Sequence, residues 1–356
     1  MTDNSTQSEA ITIGIDLGDR FSHVCVLDAH GKKVEESRIP TTKAALEKMV
    51  AKYPRARVVL ETGTQSPWVS RLLERLGHEV VVAHARRVRL IAQSDRKHDR
   101  YDAEQLARLG RVDPELLCPV THRSEQAHKD LMLLQARDGL VRARTQLINQ
   151  ARGFGKSLGV RLPSCSAPSF VTRIRASLLQ ELFAGFDELL EVIERITEQV
   201  GVLSRKTEQL CRDRYQETEL LRQVPGVGPI TALSFVVTIA DPHRFERSRM
   251  VGGYLGLRPR QRDSGQCSRQ LGITKAGNPF VRRNLVQAAH YVLGPFGPDS
   301  DLRRFGLRLM SRGGKGAKNR AVVAVARKLA ILLHRLWVSG QDYQPVGYGM
   351  AYVDAT

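Results

Sequence analysis

The sequence predicts an α/β domain followed by a mainly helical part, and three observations indicate this fold class. The first part of the chain alternates short apolar β-type segments with amphipathic helical segments. From Ser124 onward, apolar residues recur mostly at helical spacing. Single acidic residues lie within or at the ends of the apolar strands of the first part, where an unpaired charge is costly to bury.

The elements of the first part follow one another in the order βββαβαβα. Three consecutive strands, ITIGIDLG, HVCVLDAHG and KKVEESRIP, predict an antiparallel meander. The next two elements are a helix with a Thr cap and a Pro stop, TTKAALEKMVAKYP, and a fourth strand, RARVVLETG. A second helix closed by Gly77, SPWVSRLLERLG, precedes a fifth strand, HEVVVAH. The helical part begins with ARRVRLIAQ. This order is that of the RNase H-like fold, in which acids of the first strand, the fourth strand and a later helix converge at one sheet edge.

Four acidic residues occupy those positions: Asp16, Glu61, Asp99 and Asp102. Asp16 lies within the first strand, and Glu61 ends the fourth. The segment KHDRYDAEQLARL places Asp99 and Asp102 three residues apart at a helix entry, so that both carboxylates project from one face. Their repulsion is offset most simply by a divalent cation, Mg²⁺ or Mn²⁺, and such acids can hold two ions for phosphoryl transfer. The alternative is that the acids only cap strands and helices.

The charge of the chain indicates a polyanionic partner. Its 356 residues carry 55 Lys and Arg against 37 Asp and Glu, a net charge of +18, and nucleic acid is the partner that this sign favours. The five cysteines form no C-x-x-C pair, so neither a disulfide framework nor a zinc ribbon is expected, and a reducing cytoplasm follows. The first residues lack a basic and apolar leader, and no apolar stretch is long enough to span a membrane.

The middle of the chain predicts a basic helix and a coiled coil. The helix that begins after Ser124 carries arginines between apolar positions, a pattern that suits phosphate binding or a merely solvated face. A Pro- and Ser-rich linker, Arg161–Ser169, follows. Beyond it, apolar residues alternate with coiled-coil spacing, interrupted by Thr207, at Leu179, Leu182, Phe186, Leu189, Ile193, Ile196, Val200, Leu203 and Leu210. A second helix or a second subunit must cover this seam.

The last part holds two candidate nucleic-acid elements. P-G-V-G-P at Pro225–Pro229 is typical of a helix-hairpin-helix turn, in which Gly226 and Gly228 let the backbone approach a phosphate, although such turns are common without DNA. Ser264, in RDSGQ of a predicted small-residue loop, can act as a phosphodiester nucleophile or belong to a simple turn. The bases around it are Arg260, Arg262, Arg269, Lys275, Arg282 and Arg283. We therefore predict three domains, comprising residues 11–158, the coiled coil 170–220 and a C-terminal domain 221–340.

Several segments together carry a family resemblance. IGIDLG, VVLETG, KHDRYDAEQLARL, VPGVGPITA, YLGLRPRQRDSG and GITKAGNPFVRRNL closely resemble, in this order, the DEDD-type transposases of the insertion-sequence one-ten family. The resemblance extends from about Ile11 to Trp337. It implies an N-terminal RuvC-like domain whose acidic tetrad is Asp16, Glu61, Asp99 and Asp102. It also implies a C-terminal serine nucleophile that maps onto Ser264, with Ser268 as a second candidate.

The resemblance further implies recombination of donor and target DNA guided by a structured noncoding (bridge) RNA, with Mg²⁺ as cofactor. It implies a homo-oligomer, a dimer or a dimer of dimers, in which the acids of one protomer meet the serine of another. Asp95 and Glu104 are additional nearby acids, so the assignment of ligands to ions stays open. The alternative is a RuvC-like DNA junction endonuclease that uses water and forms no covalent serine intermediate.

Overall fold

The computed structural model describes residues 11–85, 99–177, 185–264 and 267–347. The chain divides into two compact units, residues 1–122 and 123–356. The first unit therefore ends before the basic helix that the sequence analysis placed in the first domain. The predicted division into three functional domains, with limits at residues 158, 170, 220 and 221, stays a prediction.

The first unit is built on a five-stranded mixed sheet. Its strands are β1 (Thr12–Asp16), β2 (Phe21–Leu27), β3 (Lys33–Pro40), β4 (Arg57–Glu61) and β5 (Glu79–Ala83). Their order in the sheet is β3-β2-β1-β4-β5. β1, β2 and β3 pair antiparallel, which confirms the predicted meander, whereas β1 pairs parallel with β4 and β4 pairs parallel with β5.

Helices cover both faces of this sheet. They are α1 (Lys43–Val50), α2 (Ser66–Arg75) and α3 (Asp99–Val112), followed by a short 3₁₀ turn (Pro114–Leu117). The predicted cap of α1 is confirmed, since the side chain of Thr42 accepts a hydrogen bond from the Ala45 N–H. Because side chains alternate along a strand, Ile13 and Ile15 pack with α1 and α2, whereas Val59 packs on the other face with Leu106 of α3. The predicted helical segment ARRVRLIAQ lies almost entirely outside the described residues.

The second unit is mainly helical. Its helices are α4 (Glu125–Ser157), α5 (Phe170–Ala176), α6 (Phe186–Asp213), α7 (Glu217–Arg222), α8 (Pro229–Ile239), α9 (Arg249–Tyr254), α10 (Pro279–Leu293), α11 (Asp301–Ser311) and α12 (Ala317–Ser339), with a 3₁₀ turn at Pro242–Arg244. A two-stranded hairpin, β6 (Pro259–Ser264) and β7 (Cys267–Ile273), interrupts them. α8 is apolar on all sides and buried from Thr231 to Ile239, so it forms the centre of the core with α10 and α12. Among the described residues, no helix has the length and apolar character needed to cross a membrane.

The predicted coiled-coil region consists of three separate helices in the described residues, and its seam runs along α6. α4 and α6 pack antiparallel: Arg137 Nε donates to Ser204 Oγ at 2.8 Å, and Arg214 Nη1 donates to Asp130 Oδ2 at 2.8 Å. One row of the seam is buried in the chain, namely Phe186, Ile193, Val200 and Thr207. The other row stays partly exposed, namely Leu189, Ile196, Leu203 and Leu210. Leu179 and Leu182 lie outside the described residues. The seam is thus half covered by a helix of the same chain.

Each unit encloses one buried histidine among its described residues, His78 in the first and His334 in the second. The two ring nitrogens of His334 lie 2.8 Å from the carbonyl oxygen of Pro242 and 3.0 Å from Ser248 Oγ. Burial lowers the pKa of both imidazoles below the ordinary histidine value. Both rings are therefore neutral in the folded chain near pH 7.

We expect both units to lose stability as the pH falls below about 6.5, the ordinary histidine pKa. Since folding lowers the pKa of His78 and His334, the unfolded chain binds protons first. The stability that the neutral rings contribute is complete above the ordinary pKa and is lost as the pH falls through the lowered one. Urea unfolding at about pH 7.5 and about pH 5.5 measures this loss. The acid-induced shift of the second unit should be smaller in His334→Gln, and an equal shift would contradict the assignment.

Candidate active site

Two of the predicted acids end neighbouring parallel strands. Asp16 is the last residue of β1, and Glu61 is the last residue of β4. In the register of this pair, Ile15 lies opposite Leu60, so the two acids follow at the same edge of the sheet. Neighbouring strands are about 4.8 Å apart. The two carboxylates therefore start from adjacent backbone positions.

A close contact with α3 determines which face of the sheet these acids share. A Cβ atom on Gly14 would lie 2.0 Å from the carbonyl oxygen of Ala103 and 2.6 Å from the backbone nitrogen of Ala107. Glycine is therefore required for α3 to pack directly on β1. Asp16 lies two residues beyond Gly14 and points to the same face, because side chains alternate along a strand. Glu61 has the same relation to Val59, which packs against α3.

The direction of α3 carries its acidic end toward the same edge. Near its C-terminus, the Gly110 carbonyl oxygen accepts a hydrogen bond from Arg57, at the start of β4, and Arg111 donates to Ala29 O, just after β2. The C-terminus of α3 thus lies near the beginnings of β1 and β4. Its N-terminus lies toward their carboxyl ends.

Asp16 and Glu61 thus end neighbouring strands, and the N-terminal part of α3, which holds Asp102, runs toward the same edge. Asp102 is adjacent to Ala103, the residue in contact with Gly14. Asp99 opens α3, but its side chain lies outside the described residues. The convergence of Asp16, Glu61, Asp99 and Asp102 into one tetrad stays a prediction, and so does their catalytic role.

The chemistry of this donor set fits a hard divalent cation, because carboxylate oxygens are the ligands that Mg²⁺ and Mn²⁺ prefer. The geometry of the described side chains does not yet form such a site. Within the described ranges, no group of three or more His, Cys, Asp and Glu side chains is arranged to hold a metal ion. A divalent cation remains compatible with the residue types at this edge.

One of the additional acids has a different role. Glu104 accepts a hydrogen bond in an ion pair with Lys33 at 2.6 Å and forms another with Arg108 at 2.7 Å. These cations, Lys33 first, lower the pKa of the Glu104 carboxyl. Glu104 therefore connects α3 to β3. The other additional acid, Asp95, lies outside the described residues.

A histidine that the sequence pattern did not indicate lies at this edge. His23 of β2 lies directly opposite Asp16 in the antiparallel register. Residues opposite each other in an antiparallel pair have neighbouring side chains. The available signal was the meander itself, since pairing the end of β1 with the start of β2 places a residue of DRFSH beside Asp16.

A second missed feature fixes the chain just after Glu61. Ser66 Oγ donates to the Gly63 carbonyl oxygen at 2.9 Å, accepts from the Gly63 N–H at 3.0 Å and lies 3.0 Å from His122 Nε2. The Thr62 N–H also donates to Ala83 O at 2.9 Å. This network holds the turn that follows β4. His122 is distant from Ser66 in sequence, so no local pattern could indicate the contact.

The two turn glycines have different surroundings. Gly226 has a φ of +86°, and a Cβ atom there would lie 3.0 Å from the carbonyl oxygen of Ala288 in α10. Its backbone is therefore packed within the unit. Gly228 caps the N-terminus of α8, and a Cβ there would meet no described atom within 4 Å. Of the two, Gly228 is the position with open space around it.

The serine candidates lie on the hairpin, where the sequence analysis expected a loop. Ser264 ends β6 opposite Cys267, and Ser268 of β7 lies opposite Asp263. Arg262 lies opposite Arg269. The expected loop is therefore wrong, because backbone pairing of the two strands orders this segment. The side chains of residues 261–270 lie outside the described residues.

The remaining predicted bases differ in their availability. Lys275 is exposed. Arg282 donates through Nη1 to the carbonyl oxygens of Leu255 at 3.1 Å and Ala276 at 2.7 Å, so it joins α10 to the preceding turn. Arg283 forms an ion pair with Asp138 at 2.6 Å and is half exposed. Arg282 thus has a structural role that its charge alone did not reveal.

Comparison with known proteins gives consistent matches over both units. A family model with the description "Transposase" matches residues 13–155, and a second, "Transposase IS116/IS110/IS902 family", matches residues 218–301. The transposase for insertion sequence element IS1111A of Coxiella burnetii is 28% identical over 93% of this chain and 91% of its own length. A putative transposase of Sinorhizobium fredii, y4pF/y4sB, is 30% identical over 94% and 86%. A probable family 20 transposase of Pseudomonas aeruginosa is 27% identical over 94% and 98%.

We expect Gly14→Ala to disable the acidic edge without removing any acid. The added Cβ would collide with the Ala103 carbonyl oxygen, so α3 must move away from β1. Overpacking of this kind costs about 1–3 kcal/mol of stability, and a shift of about 1 Å in a catalytic group lowers activity about 100-fold. Thermal unfolding and a DNA cleavage assay measure the two effects. Gly63→Ala, two residues from Glu61 and with no described atom within 4 Å of the new Cβ, is the matched control. Equal cleavage by both variants would contradict the role of Gly14.

Proposed function

The chain belongs to the IS116/IS110/IS902 family of transposases. On that premise we propose that this DNA-cleaving and DNA-rejoining enzyme combines the acidic edge of its first unit with a serine nucleophile of its second. The observation that carries the proposal is the convergence of Asp16 and Glu61, at adjacent strand ends, with the N-terminal part of α3 that holds Asp102. The strand order β3-β2-β1-β4-β5 supports an RNase H-like, RuvC-like assignment of the first unit.

The acids are the ligands of the divalent cation in this proposal. Asp16, Glu61, Asp99 and Asp102 would bind Mg²⁺, or Mn²⁺, which when bound stabilises the charge that develops during phosphoryl transfer. Gly14 positions Asp102 by letting α3 contact β1. Ser66 and His122 position the residues after Glu61.

Ser264 is the proposed nucleophile. Its Oγ would attack a phosphodiester, form a new Oγ–P bond and release the oxygen of the leaving strand, which takes up a proton. A second DNA hydroxyl would then attack the same phosphorus. The Oγ–P bond would break, which rejoins the strands and restores the protonated serine. A serine hydroxyl needs help in losing its proton and cations to stabilise the phosphorane, which Arg262 and Arg269 would supply, whereas Lys275 follows the base of the hairpin. The hairpin register supports this set, since Arg262 lies opposite Arg269.

Donor and target DNA and a structured noncoding guide RNA are the proposed nucleic-acid partners. The net charge of +18 supports binding to these polyanions. Gly228, with open space at the N-terminus of α8, supports a phosphate contact of the helix-hairpin-helix type. The assignment of RNA guidance rests on the resemblance of the whole chain to the family.

We propose that a second copy of the chain completes the half-covered seam. The partly exposed row of α6, including Ile196 and Leu203, adjoins a second row on α4, Leu133, Leu140 and Leu147, whose members repeat every seven residues and are also partly exposed. The two rows meet where Leu147 and Leu189 pack against the same cluster. They flank one side of an antiparallel helix pair, and such an apolar stripe fits the same stripe of another protomer.

We expect Ser264→Ala to remove both the covalent protein–DNA adduct and recombination, whereas Ser268→Ala should retain both. The assay is a denaturing gel of labelled DNA after reaction with the protein and the noncoding RNA transcribed from DNA flanking the gene. Asp16→Asn should also abolish the reaction while nucleic-acid binding persists. A mixture of Ser264→Ala and Asp16→Asn proteins should regain some activity if different protomers supply the acids and the serine. Cleavage by Ser264→Ala without any adduct would favour the water-using endonuclease.

We expect the two rows of the seam to respond differently to a buried charge. Ile196→Asp lies in the partly exposed row and should dissociate subunits while the chain stays folded. Ile193→Asp lies in the buried row and should cost several kcal/mol of stability within the chain. Light scattering after size exclusion gives the mass, and circular dichroism gives the folded fraction. An unchanged mass for Ile196→Asp would place this row outside the subunit interface.

A further inference from the structure

The second unit contains a large groove that the proposed chemistry does not use. Its volume is about 1440 Å³, which exceeds the ~300–1,000 Å³ typical of a small-molecule cleft. α9, α11 and α12 contribute to its walls, together with the base of the β6–β7 hairpin at Pro259 and Leu271–Ile273. The groove therefore lies at one end of the hairpin whose other end carries Ser264.

The lining of the groove is both cationic and apolar. Its basic side chains include Arg247, Arg249, Lys275, Arg312, Arg327 and Lys328. Asp301 is the one acidic residue among the described side chains that line it. The apolar lining includes Leu257, Phe305, Leu309 and Ile331. This combination requires an occupant that is anionic on one side and apolar on the other.

Two cationic side chains of the lining have partly or fully buried surroundings. Lys328 Nζ lies 4.0 Å from the centre of the Phe305 ring, and burial, followed by repulsion from Arg308, lowers the pKa of this lysine. The Nε of Arg327 is buried without an acceptor in the described parts of the chain. The charge of Asp301, the acid in the lining, acts on Lys328 in the opposite direction and raises its pKa, though less than burial lowers it. An anion brought into the groove would stabilise the charged form of Lys328.

We propose that this groove binds a single-stranded segment of DNA, with its phosphates on the cationic side chains and its bases on the apolar lining. A duplex presents its phosphates outward and keeps the faces of its bases stacked, so it would leave the apolar lining in contact with water. A single strand exposes both features at once. The inference rests on the proposed function, because it supplies the hairpin serine with an unpaired strand.

The charge balance favours this occupant over a peptide. A groove with six named cations and one acid attracts a chain that carries one negative charge per residue, as a nucleic-acid strand does. An acidic peptide of comparable length would have to match that charge density while also presenting apolar side chains. Single-stranded RNA shares the phosphates and bases of DNA, so the experiment includes it as a separate arm.

Fluorescence anisotropy with the full-length protein tests the proposal. The probes are a labelled oligothymidylate, the corresponding oligouridylate and a duplex of the same length. Phe305→Leu should weaken oligothymidylate binding roughly 5- to 150-fold, the range for loss of one base–aromatic contact, and leave duplex binding unchanged. Arg312→Gln should weaken oligothymidylate binding. It should also reduce the slope of log K against log salt concentration by about 0.7 in magnitude, the value for one single-strand phosphate contact.

The chain offers a matched control for each substitution. Phe296→Leu changes a phenylalanine that is 82% exposed and does not line the groove, and Arg205→Gln removes an exposed charge from α6. Both should bind oligothymidylate as the unaltered protein does, and circular dichroism verifies that all four variants are folded. Equal weakening of duplex and single-strand binding in Phe305→Leu would overturn the proposal, as would unchanged binding in both groove variants. Groove-dependent binding of oligouridylate alone would also overturn it.

Binding is measured without catalysis, so this result is independent of the serine chemistry. Loss of the adduct in Ser264→Ala together with unaltered binding in the groove variants would contradict only the proposed role of the groove. Groove-dependent binding of oligothymidylate together with an adduct in Ser264→Ala would contradict only the assignment of Ser264 as the nucleophile.

Discussion

The contact between Gly14 and the backbone of α3 is the constraint on which the candidate active site depends. A side chain on that residue would overlap the Ala103 carbonyl oxygen, so the helix can approach the strand only because Gly14 has none. The same contact sets the height of α3 above β1 and thereby the position of Asp102 relative to Asp16. Close packing of interiors leaves no room for adjustment, and a displacement of α3 must therefore move the acid as well.

The positive charge of the second unit is divided between two uses. Arg282 donates to backbone carbonyl oxygens, and Arg283 pairs with Asp138, so both contribute to packing between segments of the unit. The cations of the groove line a cavity instead, together with apolar side chains. A net charge of +18 indicates a polyanionic partner, but only the surroundings of each arginine show whether it holds the fold together or faces solvent.

The helix pair of α4 and α6 contributes to the fold of the second unit and to the proposed contact between subunits. Its buried row is satisfied within the chain, and Asp130 at one end accepts from Arg214 and Tyr215 at 2.8 and 2.7 Å. Its second row keeps apolar surface in contact with water, which a partner subunit can remove. One heptad pattern thus places one row in the core of the chain and leaves the other for the proposed subunit contact, because successive positions of the seam face different neighbours.

The sequence by itself determined the strands of the first unit, most helices and the positions of Asp16 and Glu61 at strand ends. Hydrophobic periodicity and caps are local signals, and parallel pairing of β1 with β4 fixes where Asp16 and Glu61 end. The tertiary structure alone decided the β6–β7 pairing, the pairing of Glu104 with Lys33, the half-covered seam and the groove. Each of these depends on residues far apart in the chain, and a local pattern carries no information about which distant segment will fill the space beside it.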